Sequence, residues 1–271
     1  MRIIRFLSSG QVHHGQTLDE AASRARRIEG DPLGSFHVTD QVLNVDKLLA
    51  PIVPADILCI GLNYRAHAAE SNSPIPKVPM LFIKASGTLN NPDDPILLPR
   101  LSQQIDYEAE LAVIIGKRAK YVKKENALDY VLGYTCANDV SARDWQRDKN
   151  LGGGQFARGK SFDSFCPLGP WIVTKDEIPN PNDLKIRSIL NGQVMQDYTT
   201  SDMIFDVPML IESLSSTLTL KPGSVILTGT PHGVGFARTP PVWLKQGDLI
   251  TVELEKIGSL SNPVVSEDER R

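Results

Sequence analysis

Cysteine is scarce: Cys59, Cys136 and Cys166 are the only three in 271 residues, an odd number with no CxxC spacing. That excludes a disulfide framework and a thiolate zinc site, and a reducing compartment fits best. The cytoplasm is expected. The mitochondrion is the alternative, because Arg2 and Arg5 come before any acid, although Ile3, Ile4, Phe6 and Leu7 read as a first strand. Long apolar runs are missing too. No stretch approaches the roughly 20 residues that cross a bilayer, and the amino terminus lacks the apolar core of a secretory signal, so no membrane partner is expected. Charge of one sign is also lacking. The 29 basic and 32 acidic residues nearly cancel, with no basic run interleaved with aromatics, which argues against nucleic acid.

What is present is enough chain for one large domain with a real core. Residues 1–52 read as a small appendage, a short strand followed by a helix from Leu18 to Glu29. Thr17 with Glu20 forms its capping box and Gly30 its stop. Pro51 and Pro54 then punctuate the chain, and residues 53–271 are expected to form the second, larger domain. Met80 to Lys84, Glu110 to Ile115, Leu184 to Leu190, Ser224 to Thr228 and Leu249 to Glu255 are β-type runs, and Asn191-Gly192 predicts a hairpin. Helices are fewer: Arg65 to Glu70, Glu125 to Val131, and Val207 to Leu218 capped by Asp206. Ser266 to Arg271 reads as a charged tail that frays. This balance predicts an α+β chain that is mainly β, a sandwich or rolled sheet.

The run Ile105-Asp106-Tyr107-Glu108-Ala109-Glu110-Leu111-Ala112-Val113 alternates, which predicts Asp106, Glu108 and Glu110 on one strand face. Same-face neighbours lie about 7 Å apart, and like charges so close repel unless a proton or a cation intervenes. Carboxylate-only ligation favours Mg2+, Mn2+ or Ca2+ over zinc. A face neutralised by Lys and Arg neighbours is the other reading. Asp139, ending the apolar run from Gly133, could complete the ligand set or cap a helical turn. His67 and Glu70 stand three apart on a predicted helix, so they share a face, and the carboxylate can tune the imidazole into a base near neutral pH. An ordinary surface pair is the alternative there. Gly154 to Ser161 matches the phosphate-loop pattern GxxxxGK[ST], but the strand before it and the helix after it are missing, so a nucleotide is rejected. Lys160 can still approach an anion. Thr228 to Gly235 follows an apolar strand and offers N–H groups and hydroxyls to a carboxylate, or is simply a tight turn, with His232 structural.

Taken in order, GLNYRAHAAE, IDYEAELAVIIG, ANDVSARDWQ, RGKSFDSFCPLGPW, LNGQVMQ, ILTGTPHGVG and LKQGD resemble the recurring segments of the fumarylacetoacetate hydrolase superfamily over about residues 55 to 265. The resemblance implies a mixed β-sandwich roll and a homodimer. It also implies Glu108, Glu110 and Asp139 as ligands of Mg2+ or Mn2+, with Asp106 outside the ligand set. His67 and Glu70 would form a lid dyad, with Lys160 completing the catalytic groups. Arg143 and Lys160 would approach substrate oxygens, Gln146 would contact the lid, and Thr230 would bind a carboxylate. ARDWQ, KSFDSFCPLGP and FARTPPVWLKQGD look most like the domain-containing protein 2 branch, associated with oxaloacetate keto-enol tautomerisation. Other branches hydrolyse acylpyruvates, decarboxylate oxaloacetate or isomerise dienoic diacids, so the expected partner is a small oxo-acid. A dicarboxylate-sensing protein without turnover is the reading from another class.

Overall fold

Apolar runs bounded by Pro, Gly and Asn clusters fold into two packed sheets. The computed structural model describes residues 1–151 and 153–270. The larger sheet has twelve strands. Its main path runs Phe36–Asn44, Arg24–Gly30, Gln11–Thr17, Arg2–Ser8, Cys166–Thr174, Val131–Asn138, Ala109–Ile115, Val225–Leu227, Ile57–Gly61 and Met80–Ile83. The smaller has five, in the order Gln193–Thr199, Lys185–Leu190, Leu249–Leu254, Gly258–Ser266 and Ile96–Leu98. The chain is thus α+β and mainly β. Among the described residues no helix is long and apolar enough to cross a membrane.

Strand Ala109–Ile115 is buried at every position because both of its faces are covered. Ala109, Leu111, Val113 and Ile115 pack with Ile186, Val252 and Leu254 of the smaller sheet. Ala112 and Ile114 pack on the other face with Cys166, Val225 and Leu227. Helix Val207–Thr217 buries Val207, Leu210, Ile211 and Leu214. Its first turn is closed by Asp206, whose carboxylate accepts the Met209 N–H at 2.8 Å. Asn191 and Gly192 both take positive φ, 51° and 82°, as a two-residue hairpin turn requires.

Several expectations fail for local reasons. Leu18 to Glu29 is not a helix: residues 18–23 form a turn and Arg24–Gly30 is a strand. Asp19 closes the turn by accepting from the Ser23 N–H and hydroxyl, and Thr17 donates to the Asp19 carbonyl, so no capping box forms. Ala22 in the turn and Ala25 in the strand are buried, and a register shift between Arg26 and Ile28 turns Ile28 inward as well, so buried positions at intervals of three imitate helical spacing. Lys124–Tyr130 is a 3-10 helix. Ser266 ends a strand and Glu267–Arg270 coils as a 3-10 turn tied to Arg100 by Glu267 and Asp268; Arg271 lies outside the described residues. The acidic run is two strands. Ile105–Asp106 pairs with Ser141–Ala142, and a separate strand begins at Ala109, so Asp106 leaves the face it was expected to share.

Candidate active site

The antiparallel register Ala109↔Asn138 brings the two acidic segments together at one end of the larger sheet. The Asp139 N–H donates to the Glu108 carbonyl at 2.9 Å, and the Asn138 side chain accepts the Glu108 N–H at 2.9 Å. Glu108, Glu110 and Asp139 each then offer an oxygen within 4.8 Å of the others, all buried. They line a cavity of about 340 Å³ together with His67, Arg143, Gln146, Lys160 and Thr230.

Three cations hold the acids. Lys160 Nζ donates to Glu108 Oε2 and Asp139 Oδ2, both at 2.6 Å. Arg143 donates through Nη2 to Glu108 Oε1 at 2.6 Å, through Nε to Asp106 Oδ2 at 2.8 Å, and through Nη1 to Gln146 at 2.9 Å. Lys84 Nζ donates to Asp139 Oδ1 at 2.5 Å and to the Val140 carbonyl at 3.1 Å. Burial pushes the Glu108 carboxyl up, but Arg143 and Lys160 outweigh it and bring the group to about 2. Glu110 has less help, since Lys160 acts on it without bonding it. Among the described residues no cation pairs with it, and Glu110 Oε2 accepts only the Gly229 N–H at 2.7 Å. Burial, then the Asp139 and Glu108 charges, hold its carboxyl well above the usual range. With all four carboxyls ionised, three cations leave one negative charge that the buried pocket opposes, and a divalent cation among Glu108, Glu110 and Asp139 suits that deficit.

Asp106 stands apart. It accepts the N–H groups of Tyr107, Gly235 and Phe236 besides Arg143 Nε, which makes it the anchor of the Gly235–Ala237 turn and of Arg143. The carboxylates opposite Arg143 and Lys160 also meet the neutralised-face expectation halfway: the charge balance falls short only at Glu110.

Helix Arg65–Glu70 covers the cavity. Its entry is fixed by Asn63, whose amide donates to the Phe205 and Thr228 carbonyls and accepts the Phe205 N–H. Gly229, at φ 94°, has to be glycine there, since a Cβ would lie 2.8 Å from that of Asn63. His67 Nδ1 meets Glu70 Oε2 at 3.0 Å, and Glu70 Oε1 accepts the Gly233 N–H at 2.8 Å. An ionised carboxylate only accepts, so Nδ1 carries the proton and Nε2 is left as the basic nitrogen. Burial pushes Glu70 up, but the bonds from His67 and Gly233 prevail and leave it below its ordinary value, so it is ionised at neutral pH. Among the described residues Gln146 bonds Arg143 and not helix Arg65–Glu70, although it lines the same cavity. The Thr230 hydroxyl donates to the Ala109 carbonyl and accepts from Gln196, so a carboxylate meets it only by displacing a bond already made. Lys160 follows the short helix Phe156–Gly159 and faces carboxylates, which is no phosphate cradle.

Residues 56–265 match the family model described as fumarylacetoacetate (FAA) hydrolase, C-terminal. The chain belongs to the fumarylacetoacetate hydrolase family. Residues 1–51 match a second family model, Rv2993c-like, N-terminal. A Xenopus laevis protein named oxaloacetate tautomerase fahd2, mitochondrial, is 52% identical over 220 residues, which are 81% of this chain and 68% of that one. The crystal structure of 5-carboxymethyl-2-hydroxymuconate delta-isomerase from Mycobacterium smegmatis superposes with a TM-score of 0.86 at 38% identity, covering 98% of this chain and 100% of that one. Fumarylacetoacetate hydrolase from psychrophilic Exiguobacterium antarcticum gives 0.84 at 37% identity, covering 98% and 100%. As a member of the fumarylacetoacetate hydrolase family, within its domain-containing protein 2 branch, the chain is an enzyme.

One charged group of this site went unread in the sequence. Lys84 ends the run from Met80, and its alternation with Phe82 was the available signal for an inward-facing cation. Its side chain is fully buried against Asp139. Removing one partner of a buried pair costs about 3–5 kcal/mol, because the other charge stays behind uncompensated. Lys84→Met is therefore expected to lower the unfolding free energy by about that amount in urea titration. A loss below about 1 kcal/mol would show that Asp139 finds its counter-charge elsewhere.

Proposed function

We propose that this enzyme interconverts the keto and enol forms of oxaloacetate with Mg2+ as its cation, Mn2+ or Ca2+ being substitutes. The observation that carries the proposal is a proton-transfer dyad, His67 and Glu70, facing a carboxylate triad with one charge unneutralised. The name of the Xenopus laevis relative supports the substrate.

A divalent cation held by Glu108, Glu110 and Asp139 would supply Lewis-acid stabilisation of the negative charge that develops on the substrate's C2 oxygen. His67 Nε2 takes a proton from C3, the C–H electrons form the C2=C3 bond, and the C2 carbonyl electrons move to oxygen. Returning a proton to that oxygen gives the enol, so the reaction needs no other bond change. Glu70 holds the imidazole and stabilises its charged form. Lys160 has used two of its three N–H donors on Glu108 and Asp139, and the third is available to a substrate oxygen beside the triad. Phe82 and Phe236 line the cavity and give it an apolar wall.

A homodimer belongs to the same proposal. Leu81 and Ile83 lie exposed on edge strand Met80–Ile83, at 37% and 56%, an apolar edge that a symmetric partner would cover. The mitochondrial label of relatives supports that location beside the cytoplasmic one.

The test is to add enol-oxaloacetate to the purified protein with Mg2+ or with chelator, and to follow enol absorbance and pyruvate release in parallel. Fast enol loss that needs the metal and yields no pyruvate is expected. Pyruvate release would make the enzyme a decarboxylase, and cleavage of an acylpyruvate without enol turnover would make it a C–C hydrolase.

A further inference from the structure

The cations that line the cavity are not equally available. Arg143 has all three of its guanidinium nitrogens bonded, to Asp106, Glu108 and Gln146, and Lys160 bridges Glu108 and Asp139. Arg147 also lines the cavity, one turn further along helix Arg143–Arg147, and is exposed. Among the described residues it forms no salt bridge and donates no side-chain hydrogen bond. Its guanidinium carbon instead lies 4.7 Å from the centroid of the Phe236 ring, and that of Arg143 lies 4.5 Å from the same ring. Phe236 in turn sets its ring edge-to-face with His67, their centroids 6.1 Å apart. Arg147 also borders a shallower cleft with Gln104, Asp144 and Trp243, which places it at the rim between the cavity and solvent.

Charge balance says what such a cation is for. Asp106, Glu108, Glu110 and Asp139 oppose Lys84, Arg143 and Lys160, leaving one negative charge, which a divalent cation turns into one positive. A monoanionic 2-oxo-carboxylate end neutralises that remainder. A second carboxylate on the same substrate then adds a negative charge for which the interior has no partner, and it must find one nearer the mouth. Arg147 is the group in place, stacked on a ring that limits its rotamers and leaves its N–H fork open to a planar carboxylate.

We infer that Arg147 is a specificity-determining residue, the rim cation that binds the distal carboxylate of a dicarboxylic 2-oxo acid and so selects diacids over the matching monoacids. This rests on the oxo-acid substrate class proposed above. The stacking on Phe236 also ties occupation of the rim to the ring that flanks His67.

The test uses binding, so that it does not depend on turnover. The affinities of Mg2+-loaded protein for 3,3-difluoro-oxaloacetate and 3,3,3-trifluoropyruvate, which lack C3 protons and differ in that a fluorine replaces the distal carboxylate, are measured by calorimetry for wild type, Arg147→Gln and Arg147→Lys. Wild type is expected to prefer the diacid, Arg147→Gln to lose about tenfold in diacid affinity with the monoacid unchanged, and Arg147→Lys to recover part of the loss. An unchanged preference in Arg147→Gln, or equal losses for both ligands, overturns the inference. Enol turnover by the same wild-type preparation decides the catalytic proposal separately.

Discussion

Glu110→Gln is expected to abolish Mg2+ binding and to cut turnover by about 10³-fold or more, while the metal-free protein stays folded and becomes more heat-stable. The two effects share one cause. Glu110 is the carboxylate of the triad without a cationic partner, buried beside Asp139 and Glu108. An amide of the same shape keeps the acceptor that Gly229 needs and removes a charge that burial opposes, a gain of about 1–3 kcal/mol. Proton linkage gives a third readout. A carboxyl held above its unfolded value binds its proton more tightly in the folded state. The metal-free wild type therefore loses stability as pH rises from the ordinary carboxyl range to the raised one. The Gln variant lacks that part of the slope. Calorimetric Mg2+ titration and thermal melts against pH measure all three, and a metal-free variant less stable than wild type would mean that Glu110 is neutralised in a way its bonds do not show. Glu108→Gln would be a poorer probe, because it strands Arg143 and Lys160 as well.

His67→Ala is expected to lower turnover of enol-oxaloacetate by about 10²–10⁴-fold with Mg2+ affinity unchanged. Among the described residues His67 makes no hydrogen bond to the carboxylates of the triad; its hydrogen bond goes to Glu70, and the pair is docked on Gly233. Loss of the imidazole removes one of the bonds that hold the Glu70 carboxyl down, so that carboxyl should titrate at higher pH in the variant. NMR titration of Glu70 reads this directly. Mg2+ affinity falling in step with turnover would place His67 among the structural supports of the metal site and remove it from proton transfer.

Much of this site was legible because its chemistry is written in short segments. His67 and Glu70 are one helical turn apart, and Glu108 and Glu110 flank a strand start, so spacing alone put each pair on a common face. Their convergence was not written there. It comes from the Glu108–Asn138 bond that the strand register makes and from the attachment of helix Arg65–Glu70 to Gly233, contacts across 30 and 163 residues respectively. Asp106 was misplaced because strict alternation assumes an unbroken strand, and the chain breaks at Tyr107 and Glu108. The helix expected from Leu18 failed for the converse reason, a bulge that imitates a helical period. Lys84 was passed over because a lysine at the end of an apolar strand ordinarily reaches solvent, and only the fold reveals that Asp139 lies in its way.

Strand Arg2–Ser8 lies against Cys166–Thr174, pairing Arg2 with Val173 and Ile3 with Ile172. Cys166–Thr174 is buried at all nine positions and, on its other side, supports the strand that ends at Asn138 beside Asp139. Stripped of the first 51 residues, the chain would bare an apolar ribbon with free backbone donors and acceptors, a template for sticking to further copies of itself. Those residues therefore cover that edge, and a chain cut down to residues 52–271 is expected to self-associate.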